Sequence, residues 1–148
     1  MILHTASEGI SLARKLENDS AVLYEELAQR YTKDAETFLS FAKDNKKNIV
    51  QIERTYYGVI TDAIEGGYAF NIDPDNYTFN TTMPKEANYN DILDKALEIE
   101  DKIIKFYSDA AEQSKSLMAD VPRVFQIIAK KREARKSQLR SLADRPVA

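Results

Sequence analysis

Cysteine and tryptophan are absent from the 148 residues of this chain, and histidine occurs once, as His4. Without a thiol the chain cannot form a disulfide, bind zinc through thiolates or hold an iron–sulfur cluster. This absence fits a reducing compartment, and we expect a cytoplasmic protein. Glycine and proline are also scarce, with four of each, so few positions favour turns or interrupt helices. The composition predicts a soluble, mostly helical chain.

Long apolar runs and a strong charge imbalance are missing as well. No segment approaches the run of about 18 apolar residues that crosses a membrane, and residues 1–10 lack the pattern of a secretory signal. The net charge of −3 and the isoelectric point near 5.3 argue against a protein built around nucleic acid or an anionic membrane. With 43% hydrophobic residues, we expect a single domain over residues 1–148 with its own core.

Apolar residues recur at steps of three and four along most of the chain, which is the period of amphipathic helices. The predicted fold class is therefore all-α, and the predicted helices are about 6–30, 35–65, 91–117 and 122–142. The first helix is preceded by the spacing of a capping box, with Thr5 as the cap and Glu8 three residues later. We expect the second helix to stop at Gly66 and Gly67.

Residues 66–90 break the helical pattern and form the predicted crossover between the second and third helices. Apolar and polar residues alternate over 68–72 and again over 77–79, with a turn signal between them at 73–76. This alternation predicts a small β-hairpin. The crossover is also long enough to return the chain along the bundle, so that the third helix runs parallel to the second.

Each predicted helix carries polar residues on its apolar stripe. They are Glu17 in the first helix, Asn45 and Asn48 in the second, Glu100 in the third, and Arg132 and Arg135 in the fourth. An unpaired charge in the core of a bundle is very costly. We therefore expect these six side chains to form one buried polar cluster in which the carboxylates pair with the arginines.

A set of spacings occurs once in each half of the chain. The first and third helices share Glu-x6-Tyr, and the second and fourth share Phe-x3-Ala. The residues are Glu17, Tyr24, Phe38 and Ala42 in the first half and Glu100, Tyr107, Phe125 and Ala129 in the second. Over about residues 6–65 and 91–142 this pattern resembles the rubrerythrin-like branch of the ferritin superfamily. The resemblance implies a ferritin-like four-helix bundle, made of two helical hairpins and a long crossover.

The ligand positions of that family are occupied differently here. Family hairpins continue as Phe-x3-Ala-x2-Glu-x2-His, and in this chain those Glu and His positions are Asn45 and Asn48 in the first half and Arg132 and Arg135 in the second. By the resemblance, only Glu17 and Glu100 remain of six di-iron ligands. Arginine cannot deprotonate to bind a metal, and we expect His4, which precedes the first helix, to be exposed to solvent.

Charge balance favours a substitution of the metal by salt bridges. In the family, two divalent irons offset four carboxylates, whereas here two guanidiniums face two carboxylates, so both sets sum to zero. Tyr24 and Tyr107 stand close to these positions and can supply further hydrogen bonds. We therefore predict a degenerate metal site with no bound metal and no catalytic residue. The cluster is expected to satisfy buried polar groups; its binding of a small anion is a minor alternative.

The function expected from the sequence is that of a non-catalytic structural or interaction protein. The alternative, implied by the resemblance, is a di-iron oxidoreductase or peroxidase with iron as its cofactor, or an iron-binding protein. The fourth helix has a basic face formed by Lys130, Lys131, Lys136 and Arg140. A solvated face is favoured over contacts with nucleic acid phosphates, because no binding motif accompanies it. This face can also meet the acidic start of the third helix in a second copy, and we expect a homodimer.

Overall fold

The computed structural model describes residues 2–59, 68–116 and 120–143. Within these residues the chain forms four α-helices and two short strands. The elements are β1 (Leu3–Thr5), α1 (Ala6–Arg30), α2 (Ala35–Val59), β2 (Tyr68–Ile72), α3 (Tyr89–Gln113) and α4 (Asp120–Ala143). The expectation of a mostly helical chain is confirmed. The predicted end of the second helix near residue 65, and its stop at Gly66 and Gly67, lie outside the described residues.

The helix starts follow from local capping. The Thr5 hydroxyl accepts a hydrogen bond from the Glu8 backbone N–H, and the Glu8 carboxylate accepts one from the Thr5 backbone N–H, both at 3.1 Å. This capping box was predicted, and α1 has the predicted bounds. At the start of α3, the Asn88 side chain accepts from Asp91 N at 2.9 Å, so the helix begins two residues earlier than expected. The fourth helix likewise begins before Pro122.

The helices form two antiparallel hairpins that pack side by side. The contacts that set the directions are Phe41 with Arg135 and Gln51 with Lys131 between α2 and α4, and Glu100 with Arg135 and Tyr107 with Phe125 between α3 and α4. Both pairs of helices are antiparallel. It follows that α2 and α3 run in the same direction.

The predicted hairpin within residues 66–90 is wrong. β2 pairs with β1 at the amino terminus, in an antiparallel register that places Leu3 opposite Ile72 and Thr5 opposite Tyr68. Residues 77–79 form no strand, and the Tyr77 hydroxyl donates to Asp109 on α3 at 2.6 Å. An alternating pattern identifies a strand with two unlike faces, but it does not identify the partner strand.

The second correction concerns His4, which was expected to be exposed. It lies in β1, is partly buried, and has its Nδ1 3.2 Å from the Phe70 carbonyl oxygen. The neighbouring strand β2 seats Phe70 against α1 at Gly9, where a methyl group in place of the glycine hydrogen would lie only 2.6 Å from the ring. Glycine is therefore required at this contact for the strand to pack on the helix.

The described part of the crossover lies along α3 and against the end of α1. Lys95 and Lys102 on α3 donate to the carbonyl oxygens of Thr82 and Thr78 at 2.9 and 3.2 Å, and Arg30 at the end of α1 donates to Pro84 O at 2.7 Å. These contacts place residues 77–84 on the α1/α3 side of the bundle. Among the described helices, none is long and apolar enough to cross a membrane.

Candidate functional site

The structure brings together all six polar residues that were predicted to meet. Each is at least 96% buried: Glu17, Asn45, Glu100 and Arg132 are 0% exposed, Asn48 is 1% and Arg135 is 4%. They lie at mid-height in the bundle, where the apolar stripes of all four helices face one another. We call this set, with Tyr24 and Tyr107, the polar network.

Arg132 is the centre of the polar network. Its Nη2 donates to Glu17 Oε2 at 2.6 Å, and its Nη1 donates to the two oxygens of Glu100 at 2.7 and 2.9 Å. Weaker contacts run from Nε to Glu17 Oε1 at 3.4 Å, from Nη1 to Ser20 Oγ at 3.5 Å and from Nη2 to Asn45 Oδ1 at 3.3 Å. Every nitrogen of the guanidinium has an acceptor, and one cation links α1 to α3.

The two tyrosines bond across the bundle in a reciprocal way. Tyr24 on α1 donates to Glu100 Oε1 on α3 at 2.6 Å, and Tyr107 on α3 donates to Glu17 Oε1 on α1 at 2.7 Å. Both hydroxyls are fully buried. Burial raises the pKa of Tyr24 and of Tyr107 well above the ordinary value, and the neighbouring carboxylates raise it further. Both groups therefore stay protonated donors through neutral pH.

Arg135 occupies the edge of the network rather than its centre. Its Nη1 donates to Asn45 Oδ1 at 2.7 Å and makes a longer contact of 3.3 Å with Glu100 Oε1, and its Nη2 donates to the Phe41 carbonyl oxygen at 3.2 Å. The guanidinium carbon also lies 4.9 Å from the centre of the Phe41 ring and 5.3 Å from that of Tyr24, at cation–π distance.

The two amides connect α2 to the network unequally. Asn45 accepts from both arginines through Oδ1 and donates from Nδ2 to the Glu17 carbonyl oxygen at 3.2 Å. Asn48 makes one hydrogen bond among the described residues, from Nδ2 to Glu17 Oε1 at 3.3 Å. Asn45 is thus the main link between α2 and the cations.

The charges of the network hold one another in their ionised forms. Burial alone raises the pKa of Glu100, but the positive charges of Arg132 and Arg135 outweigh it, so this pKa lies below its ordinary value. For Arg132, burial acts to lower the pKa, and the carboxylates of Glu100 and Glu17 outweigh that effect and raise it. Both groups are therefore charged at neutral pH.

Two participants were not among the predicted site residues. Ser20 accepts from Arg132 through its hydroxyl and is fully buried; its place on the α1 stripe between Glu17 and Tyr24 is the signal that identifies it. The Phe41 carbonyl oxygen accepts from Arg135. Every residue has a backbone carbonyl group, so nothing in the sequence identifies that of Phe41 as a partner of Arg135.

The donor set does not fit a di-iron carboxylate centre. Such a centre needs about four carboxylates and two imidazoles, whereas here the carboxylate oxygens of Glu17 and Glu100 already accept hydrogen bonds from Arg132. In residues 2–59, 68–116 and 120–143, no three histidine, aspartate or glutamate side chains converge on one point. Guanidiniums cannot take the place of the remaining ligands.

Comparison of the chain with family models, curated proteins and solved structures finds no match in any of the three. What the network can do therefore follows from its own side chains. Tyr24, Tyr107, Glu100 and Arg132 all keep their protonation states through neutral pH because of the pKa directions given above. The arrangement ties four helices together, and none of these four groups is poised to exchange a proton at neutral pH.

Proposed function

We propose that the protein is a ferritin-like bundle in which an arginine–carboxylate network takes the place of a di-iron centre, and that it acts as a non-catalytic structural or interaction protein. The observation that carries this proposal is the position of Arg132. Its guanidinium lies between Glu17 and Glu100, the two retained carboxylates of the Glu-x6-Tyr spacing, at 2.6 and 2.7 Å. The guanidinium of Arg132 thus occupies the position at which the resemblance implies the metal ions.

The arrangement of the helices supports the ferritin-like part of the proposal. Two antiparallel hairpins are joined so that α2 and α3 are parallel, which requires a long crossover, and this is the connection expected for ferritin-like bundles. The reciprocal bonds of Tyr24 and Tyr107 relate α1 to α3 in the way that two copies of one hairpin would.

Two observations support a non-catalytic role: the carboxylates already have hydrogen-bond partners, and water does not reach them. The acceptor capacity of both carboxylates is directed at the guanidiniums and tyrosines, and all of these side chains are shielded from water. An iron centre would have to displace Arg132 from the carboxylates and leave its charge buried without a partner, which is strongly unfavourable. No iron cofactor is therefore included in the proposal.

The first test is an iron challenge of the full chain. Protein purified without chelators is incubated with ferrous iron, freed of unbound metal by desalting, and assayed for iron content and peroxide turnover. We expect no stoichiometric iron and no turnover above that of free iron. Two tightly bound irons per chain with peroxide turnover would overturn the proposal in favour of a di-iron oxidoreductase.

The second test rebuilds the family ligands by the substitutions Asn45→Glu, Asn48→His, Arg132→Glu and Arg135→His. We expect this variant to bind iron or cobalt stoichiometrically and to gain thermal stability or helical circular dichroism on metal addition, since metal binding and folding are coupled. The matched control carries only the two changes on α2 and keeps both arginines, and we expect it to bind no metal. A rebuilt variant that neither binds metal nor gains structure with it would refute the assignment of these positions.

The proposal places the protein in the cytoplasm as a homodimer. The absence of cysteine supports the compartment. Lys136 pairs with Asp101 of α3 in the same chain, so the exposed Lys130, Lys131 and Arg140 of α4, together with the acidic start of α3, support association between copies. Light scattering at low and high salt tests the assembly: we expect a dimer at low salt that weakens as salt screens these charges. A monomer under both conditions would remove the dimer from the proposal.

A further inference from the structure

A groove of about 520 Å³ lies between α2 and α4, directly outside the polar network. Its walls are Phe41, Asp44, Lys47 and Asn48 from α2 and Lys131, Ala134, Arg135 and Gln138 from α4. The described part of the crossover lies on the opposite, α1/α3 side of the bundle, where it contacts α3. The volume is within the range of small-molecule sites, about 300–1,000 Å³.

The groove has an excess of positive charge. Lys47, Lys131 and Arg135 line it, against the single carboxylate of Asp44. Lys131 donates to the neutral Gln51 Oε1 at 3.3 Å, and Lys47 has no ion pair within the described residues. Arg135 is paired with Glu100 inside the polar network, so Lys47 and Lys131 against Asp44 leave an excess of one positive charge at the groove. This excess attracts an anion.

Arg135 supplies the floor of the groove and is the less satisfied of the two buried arginines. Its side chain is only 5% exposed, yet its partners account for Nη1 and one Nη2–H, so that Nε–H has no acceptor within the described part of the chain. Arg132, by contrast, has an acceptor at every nitrogen. The Nε of Arg135 is accessible to solvent at the groove, so this donor is open to water or to a ligand there.

We propose that this groove binds the phosphate group of a small phosphate monoester, held by Lys47, Lys131 and the unused donor of Arg135. A phosphate monoester carries about −1.5 to −2 charge at pH 7 and three acceptor oxygens, so it can accept from Lys47, Lys131 and the Nε–H of Arg135 at the same time. A carboxylate brings one charge and two oxygens, and is the weaker ligand. Phe41 and Ala134 give an apolar wall for the organic part. The site does not depend on the proposed relation to ferritin-like proteins.

The test is calorimetric titration of the full chain with phenyl phosphate at constant ionic strength, beside parallel titrations with benzoate and with a short DNA duplex. The groove variant is Lys47→Gln with Lys131→Gln. The matched control is Lys46→Gln with Lys130→Gln, which removes the same charge one residue away on the same two helices, outside the groove. We expect phenyl phosphate to bind more tightly than benzoate, the groove variant to bind it about tenfold more weakly or worse, and the control to change by less than about twofold.

Arg135→Lys completes the test, because it keeps the positive charge and removes the Nε–H donor. We expect weaker binding of phenyl phosphate by this variant, with helical circular dichroism as the check on folding. The proposal is overturned if the unmodified chain does not bind phenyl phosphate, if both double variants weaken binding equally, or if benzoate binds as tightly. It also fails if the duplex binds and phenyl phosphate does not, since that result would mean a nucleic-acid surface instead.

Discussion

The first helices of the two hairpins, α1 and α3, contribute to the polar network symmetrically, whereas the second helices, α2 and α4, do not. α1 and α3 each supply one glutamate and one tyrosine, and each tyrosine donates to the glutamate of the other helix. α2 supplies two neutral amides and α4 supplies both cations. All the positive charge that pairs with the two buried carboxylates of the polar network therefore comes from α4. The symmetric contributions of α1 and α3 depend on that helix.

The largest expected effect is that of removing the central cation by Arg132→Met. Glu17 and Glu100 would remain buried without their closest partner, and loss of one side of a buried ion pair typically costs about 3–5 kcal/mol. We expect a decrease of that size in the free energy of unfolding, measured by urea denaturation at pH 7. Methionine is apolar and fills much of the same space, so the loss reports mainly on charge.

Lys136→Met is the matched control for this change, on the same helix and one turn further along. Lys136 pairs with the exposed Asp101 and is 12% exposed, and a pair of this kind contributes about 0–1 kcal/mol. If Arg132→Met and Lys136→Met lower the free energy of unfolding equally, the buried carboxylates do not depend on the central cation supplied by α4.

The second prediction concerns acid. Because the arginines hold the pKa of Glu100 below its ordinary value, its contribution to stability is fully present above the unfolded pKa of about 4.3 and is lost as pH falls through the lower folded pKa. We expect the urea midpoint to be level between about pH 7 and 5 and to drop below about pH 4.3. Glu100→Gln should reduce this drop in the urea midpoint more than Glu26→Gln, a change at an exposed glutamate, does. Equal pH dependence in the two variants would mean that the arginines do not stabilise the charged form of Glu100.

The third prediction tests the symmetry of α1 and α3. Tyr24→Phe and Tyr107→Phe each remove one hydroxyl donor to a buried carboxylate, and such a hydrogen bond contributes about 1.5–3 kcal/mol. We expect losses of unfolding free energy that agree within about 1 kcal/mol, because the two bonds are equivalent when α1 and α3 are exchanged. A large loss for one variant and none for the other would break the symmetry.

Tyr77→Phe is the control outside the network. Its hydroxyl also donates to a carboxylate, Asp109, at 2.6 Å, but Asp109 keeps Lys105 at 2.7 Å and contact with water when that donor is removed. We expect a smaller loss than for either network tyrosine.

Much of this organisation could be predicted from the sequence, for identifiable reasons. The helical period is regular over α1, and Thr5 and Glu8 mark its start, so its bounds were predicted correctly. The six polar residues could be assigned to one cluster because each interrupts an apolar stripe, and stripes face one another in a bundle.

The rest was set by non-local geometry. The partner of β2 is β1, about 65 residues earlier in the chain, and no alternation pattern specifies such a pairing. The different roles of Arg132 and Arg135 were not predicted either, since both lie on the same stripe three residues apart. Which guanidinium reaches both carboxylates depends on its height in the bundle relative to Glu17 and Glu100.

The smallest predicted difference separates the two amides of α2. Asn45→Ala removes the acceptor of Arg135, a weaker acceptor of Arg132 and a donor to the Glu17 carbonyl oxygen. Asn48→Ala removes one bond of 3.3 Å. At about 1 kcal/mol for a typical hydrogen bond, we expect losses of unfolding free energy of about 2–3 kcal/mol for Asn45→Ala and about 1 kcal/mol for Asn48→Ala, measured by urea denaturation. The two changes delete the same atoms from the same helix, so the difference isolates the hydrogen bonds. A larger loss at Asn48 would mean that α2 joins the network through the carboxylate of Glu17 and not through the arginines of α4.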